Sequence, residues 1–147
     1  MEFPRRIALA EVKELLQRGL PVMFVDARRD IDWRDDERVL PRALRIAPGD
    51  VEAHLDEMPR GDTTVVVYCA CPREATSELV ALSLIERGVP NVFVLDGGYR
   101  RWRDSDSPMM RRDEMHLHRV RSQPNLVHDK GIPADIEHAQ KRTPLPD

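Results

Sequence analysis

The chain has 147 residues, of which 41% are hydrophobic and 33% charged, with a formal net charge of -3. This is enough apolar material for one globular core, and the near-balanced charge gives no electrostatic case for nucleic acid or an anionic membrane as a main partner. No apolar stretch reaches the roughly 18 residues of a membrane span, and Met1–Arg6 has no apolar secretory region, which predicts a cytoplasmic protein.

Leu9–Arg18 places Val12, Leu15 and Leu16 on one helical face, and Gly19 stops it. Val22-Met23-Phe24-Val25 is a short apolar run ending at Asp26, and Pro48–Met58 carries a weaker helical pattern through Val51 and Leu55. Val65-Val66-Val67-Tyr68 is the strongest strand signal. Ala75–Arg87 reads as a helix, apolar on most of its circumference and closed by Gly88. Val92-Phe93-Val94-Leu95 is another continuous apolar strand, after which Gly97-Gly98 opens a short helix carrying Tyr99 and Trp102.

The chain changes character near Asp104. Residues 105–147 contain no aromatic residue, five of the 12 prolines, four of the 5 histidines, and seven acidic against seven basic side chains. Such a segment cannot bury enough apolar surface for a core of its own. It is expected to be an irregular extension that wraps the domain or contacts a partner, including a second copy of the chain. Met109, Met110, Met115, Leu117 and Val120 are its apolar contacts, and Ala134–Arg142 is its candidate helix. The expected organisation is a domain over 1–104 and an extension over 105–147.

Continuous apolar strands separated by helices predict a parallel sheet buried on both faces, a compact doubly wound α/β domain. Ligands bind such sheets beyond the carboxyl ends of the strands. The only two cysteines, Cys69 and Cys71, stand there, in the turn Cys69-Ala70-Cys71-Pro72-Arg73-Glu74-Ala75 that leads into a helix. A helix N-terminus presents unpartnered N–H groups with partial positive charge. With a nearby cation it lowers a cysteine pKa, and its amides can hold an anionic sulfur species or oxyanion. The pattern suits a cysteine that carries a group covalently.

Four blocks resemble the single-domain rhodanese (sulfurtransferase) superfamily over about residues 5–108. Val22–Arg28 is similar to its strand ending in Asp-x-Arg, and Leu40-Pro41-Arg42-Ala43 to part of its Gly-His-Ile-Pro-Gly-Ala segment. Val65–Cys69 is similar to its strand ending in the catalytic cysteine, and Leu95–Trp102 to its Leu-x-Gly-Gly-x-x-x-Trp signature. Pro108 sits where a proline often follows. The resemblance implies a five-stranded parallel sheet between helices, and sulfane sulfur carried as a Cys69 persulfide. Thiosulfate or a protein persulfide would load it, and a thiol or cyanide would unload it. No cofactor is implied.

The resemblance also exposes departures. The usual loop reads Cys-x-x-Gly-x-Arg; here Pro72 takes the glycine position, Glu74 the arginine position, and Arg73 is shifted by one. A glutamate there repels anionic donors unless Arg73 compensates. Arg38, Val39 and Arg42 replace the Gly, His and second Gly of the upstream segment. The loop is closer to a rhodanese subgroup with Cys-x-Cys-Pro-x-Glu-Ala-Thr.

Each residue also has a plainer account. A strand-end cysteine is usually a buried small hydrophobe; with the flanking blocks, Cys69 reads as the nucleophile. Cys71 reads equally as a second active thiol or a spacer, Arg73 as a donor clamp or a solvated arginine, and Glu74 as a helix-start carboxylate. Asp26 and Arg28 read as a supporting hydrogen-bonded pair near the loop. Trp102 reads as core, and Tyr99 with Arg100–Arg103 as a rim of the site or ordinary surface. Zinc needs about four ligands, and Cys69 and Cys71 with distant His116 and His118 are a poor spacing, so no metal is expected. The competing functions are a non-catalytic binding or redox-sensing module and a phosphatase or arsenate reductase. The latter needs an arginine six positions after the cysteine to grip the oxyanion, and that position holds Ala75.

Overall fold

The computed structural model describes residues 4–70 and 75–114. Among these residues the elements are, in chain order, β1 (Arg5–Ile7), α1 (Leu9–Gln17), β2 (Val22–Asp26), α2 (Asp30–Asp35), β3 (Arg38–Val39), β4 (Leu44–Arg45), a 3-10 helix (Val51–Glu57), β5 (Thr64–Tyr68), α3 (Ala75–Glu86), β6 (Val92–Leu95), α4 (Gly98–Asp104) and β7 (Met110–Arg111). Strands β1, β6, β5, β2 and β4 form, in that order, a five-stranded sheet, and every pairing in it is parallel. The expected doubly wound α/β fold is therefore present, with β5 at the centre of the sheet.

The continuous apolar strands follow from burial on both faces. Side chains alternate across a strand. Val22 and Phe24 of β2, with Val66 and Tyr68 of β5, join Val12, Leu16 and Trp102 in one core. Met23 and Val25, with Val65 and Val67, join Val80, Ala81 and Leu84 of α3 in the other. Burying such an aliphatic side chain contributes about 1.5–3 kcal/mol, so the fold is held from both sides of the sheet.

The helical pattern over Pro48–Met58 becomes a 3-10 helix rather than an α-helix, with Ala53 N–H donating to Asp50 O and Met58 N–H to Leu55 O. Pro48 and Gly49 before it and Pro59 after it leave room for only a short connector, the usual setting for this tighter helix. The chain also stays on the domain beyond Asp104. β7 pairs antiparallel with β3, Met110 is buried in the first core, and Trp102 Nε1 donates to Pro108 O at 2.8 Å. The expected contacts of Met115, Leu117 and Val120 and the candidate helix Ala134–Arg142 lie outside the described residues. Among the described residues no helix is long and apolar enough to cross a membrane.

Candidate active site

Cys69 directly follows the central strand and is 1% exposed. Neighbouring elements hold it from three sides. On the β2 side, Ala27 N–H donates to Tyr68 O at 2.8 Å, extending the ladder one residue past the strand. On the α4 side, Tyr99 N–H donates to the Cys69 carbonyl at 2.9 Å. From α3, Ser77 Oγ lies 3.3 Å from Cys69 Sγ. Ser77 is in the first turn of α3, so the amino end of this 12-residue helix stands beside the sulfur. Its partial positive charge favours an anionic sulfur there.

The glycine pair acts through this packing. Gly98 has φ +60, and a Cβ on it would stand 2.4 Å from the Cys69 carbonyl oxygen. Only a residue without a side chain lets α4 come this close to Cys69 in that backbone conformation.

A buried polar network lies alongside. Asp26 and Arg28 are 1% and 0% exposed, and Arg28 Nη2 donates to Asp26 Oδ2 at 2.7 Å and Nε to Oδ1 at 3.0 Å. Tyr68 hydroxyl donates to Asp26 Oδ2 at 2.9 Å and accepts from Leu40 N–H at 3.2 Å. Burial, then the Asp26 charge, pushes the Tyr68 hydroxyl well above its ordinary pKa. Burial opposes the Arg28 charge, but its hydrogen bonds and charge pairing with Asp26 outweigh that and raise its pKa.

Tyr99 is buried rather than part of a rim or surface. It is 2% exposed, its ring stacks on Tyr68 with centroids 6.1 Å apart, and the Arg28 guanidinium lies 4.4 Å from its ring centre. Its hydroxyl donates to Asp36 Oδ2 at 2.5 Å. Burial, then the Asp36 hydrogen bond and charge, pushes the Tyr99 pKa up to about 12. Burial works against the charged form of Asp36, but hydrogen bonds from Arg38 and Tyr99 prevail and hold its carboxyl well below the usual range. Trp102 is core, 0% exposed and edge-on to Phe24 at 5.2 Å.

The four sequence blocks therefore meet around Tyr68 and Cys69. Asp26 and Leu40 hold the Tyr68 hydroxyl, and Gly98 and Tyr99 hold the Cys69 carbonyl. Arg42, in place of the second glycine of its block, keeps a glycine-like backbone at φ +55 and is 1% exposed. Of the candidate loop, Ala70 is buried and Ala75 is exposed at the start of α3. Cys71, Pro72, Arg73 and Glu74 lie outside the described residues, as do His116 and His118. No cluster of three or more metal-ligating side chains occurs among the described residues. Sequence reasoning missed Ser77 and Asp36. Helical side chains lean towards the N-terminus, so a serine in the first turn after the loop was a signal for the first. Nothing in the sequence marked the second.

These residues define a five-stranded parallel α/β domain with a buried cysteine just past its central strand. The rhodanese-like domain model matches residues 8–105, and the chain belongs to that family. No curated protein matches the chain. Among solved structures, a rhodanese-related protein from Thermoplasma volcanium is 19% identical, covering 72% of this chain and 97% of its own, with a TM-score of 0.56. A thiosulfate sulfurtransferase from Pseudomonas aeruginosa is 21% identical with a TM-score of 0.59, over 79% of this chain but 23% of its own. A Rhodopseudomonas palustris protein of unknown function, described as a possible tyrosine phosphatase, is 21% identical with a TM-score of 0.57, over 73% and 85%. At these identities the likeness speaks for the fold.

Proposed function

We propose that the protein is a sulfurtransferase or persulfide carrier that moves sulfane sulfur through Cys69. The observation that carries this reading is the Cys69 sulfur beside the first turn of α3, in a rhodanese-like fold. The Cys69 thiolate attacks the sulfane sulfur of a donor such as thiosulfate or a protein persulfide. The Sγ–S bond forms, and the donor's own bond to that sulfur breaks with its electron pair. An acceptor thiolate or cyanide then attacks the outer sulfur, and the electron pair of the Sγ–S bond returns to Sγ. In this reading the loop Ala70, Cys71, Pro72, Arg73, Glu74 and Ala75 holds the anion, with every residue except Pro72, which has no backbone N–H, supplying an amide donor, and Asp26 and Arg28 support the strand end. Residues 1–104 are the working unit, the start of the extension wraps it through Met110 and β7, and the remainder of 105–147 supplies contacts to a partner or a second copy. A cytoplasmic setting suits the thiol acceptor, which must be reduced.

The phosphatase reading has less support, because the position where an oxyanion-gripping arginine is needed holds Ala75. Incubation with thiosulfate or with a small-molecule persulfide is expected to add the mass of one sulfur atom to the intact protein, and to add none to Cys69→Ser. No gain with either donor class overturns the proposal. Steady Cys69-dependent hydrolysis of an aryl phosphate would favour the alternative.

A further inference from the structure

We propose that Ser77 is a second catalytic residue, whose hydroxyl donates a hydrogen bond to the Cys69 sulfur whenever that sulfur is a thiolate. The inference rests on the reading of Cys69 as the sulfur carrier. Ser77 is 0% exposed and its Oγ stands 3.3 Å from Sγ, across eight residues of chain. Sulfur hydrogen bonds are longer than those between oxygen and nitrogen, so this is a contact distance. α3 otherwise buries Val80, Ala81 and Leu84. An alanine would fill the position at Ser77 without the cost of burying a hydroxyl.

A hydroxyl is both donor and acceptor. While Cys69 is a neutral thiol, its S–H donates to Ser77 Oγ. Once the proton has left, rotation about the Ser77 C–O bond turns the hydroxyl hydrogen to the sulfur. The same side chain serves both states with no heavy-atom movement. Sγ is anionic at two points: as the nucleophile that attacks the donor sulfur, and as the leaving group when an acceptor takes the sulfur away. Hydrogen bonds to charged acceptors are about twice as strong as neutral ones, so Ser77 assists both half-reactions at the same atom.

The test uses the full chain in a Cys71→Ser background, so that one thiol reports. The rate of Cys69 alkylation by iodoacetamide is measured across pH in the parent, Ser77→Ala, Ser77→Thr and Ser77→Val, with thermal melts alongside. Losing a hydrogen bond to a thiolate is expected to raise the midpoint of the pH profile by about one unit. That slows alkylation about tenfold at a pH below both midpoints. The same shift is expected in Ser77→Val and not in Ser77→Thr, which keeps the hydroxyl in a matching shape. Discharge of a preloaded persulfide to a thiol is expected to slow in parallel. The Val and Thr pair decides the question if Ser77→Ala does not fold. A parent-like midpoint in the variants lacking the hydroxyl, or an equal shift in Ser77→Thr, overturns the role of Ser77 alone, provided the parent takes up sulfur. A parent that takes up none from thiosulfate or a small-molecule persulfide overturns the carrier reading and this inference with it.

Discussion

Replacing Gly98 by alanine tests how Cys69 is held. The new Cβ would stand 2.4 Å from the Cys69 carbonyl oxygen and 3.5 Å from its carbon. The obstacle is backbone, with no rotamer by which to move aside. The left-handed conformation at φ +60 alone costs a residue with a side chain about 1–2 kcal/mol. To relieve the clash, α4 can withdraw and lose the Tyr99 N–H bond to Cys69, about 1 kcal/mol. Otherwise β5 shifts within a sheet packed on both faces, about 1–3 kcal/mol. The expected loss is therefore about 2–5 kcal/mol. Gly19 supplies the control, since it has φ +74 and a Cβ there would meet nothing within 4 Å. Gly19→Ala should cost only the conformational part, about 1–2 kcal/mol. Urea denaturation of the two variants should show Gly98→Ala as the less stable by about 1–3 kcal/mol. At a temperature where both are folded, sulfur uptake should fall in Gly98→Ala alone. Equal losses of stability would refute the claim that Gly98 is required by its approach to Cys69.

Asp26→Ala leaves the Arg28 charge buried without its carboxylate, and should destabilise the domain by about 3–5 kcal/mol in chemical denaturation; a loss under about 1 kcal/mol would count against a closed ion pair. Because the folded state pushes the Tyr99 pKa up to about 12, an unfolded tyrosine, near 10, ionises first. The stability this contributes is complete below about pH 10 and lost as pH rises towards about 12, and Tyr99→Phe should weaken the pH dependence of the melting curve in that range, leaving the share of Tyr68, whose pKa is also raised. Trp102→Ala should cost about 3–5 kcal/mol, while Ile31→Ser, at a position 66% exposed, should stay within about 0.5 kcal/mol; thermal melts compare the two.

The long strands were legible because burial on both faces makes Val22–Val25, Val65–Tyr68 and Val92–Leu95 unbroken apolar runs. The edge strands were not. β1 buries only Ile7 of its three residues, and β4 is two residues long, so both owe their place to backbone pairing, which leaves no side-chain period to read. α2 was missed for a related reason: none of its residues is buried, so it has no apolar stripe. Cys69 stood out through its position after a strand and before a helix. Its surroundings were harder to see, because they join residues far apart in sequence. Tyr68 meets Asp26 across 42 residues, and Tyr99 meets Asp36 across 63. A serine inside a helix and two tyrosines beside apolar runs look like ordinary helix and core until sheet order brings them to one strand end.

Locating the transferred sulfur tests the account most directly. After incubation with thiosulfate or a small-molecule persulfide, the protein is digested and the peptide containing residues 69–71 is sequenced by fragmentation mass spectrometry, before and after addition of cyanide. The account predicts one extra sulfur atom on Cys69, lost as thiocyanate when cyanide is added. An unmodified Cys69 with both donors, or an extra sulfur that persists in Cys69→Ser, would contradict it.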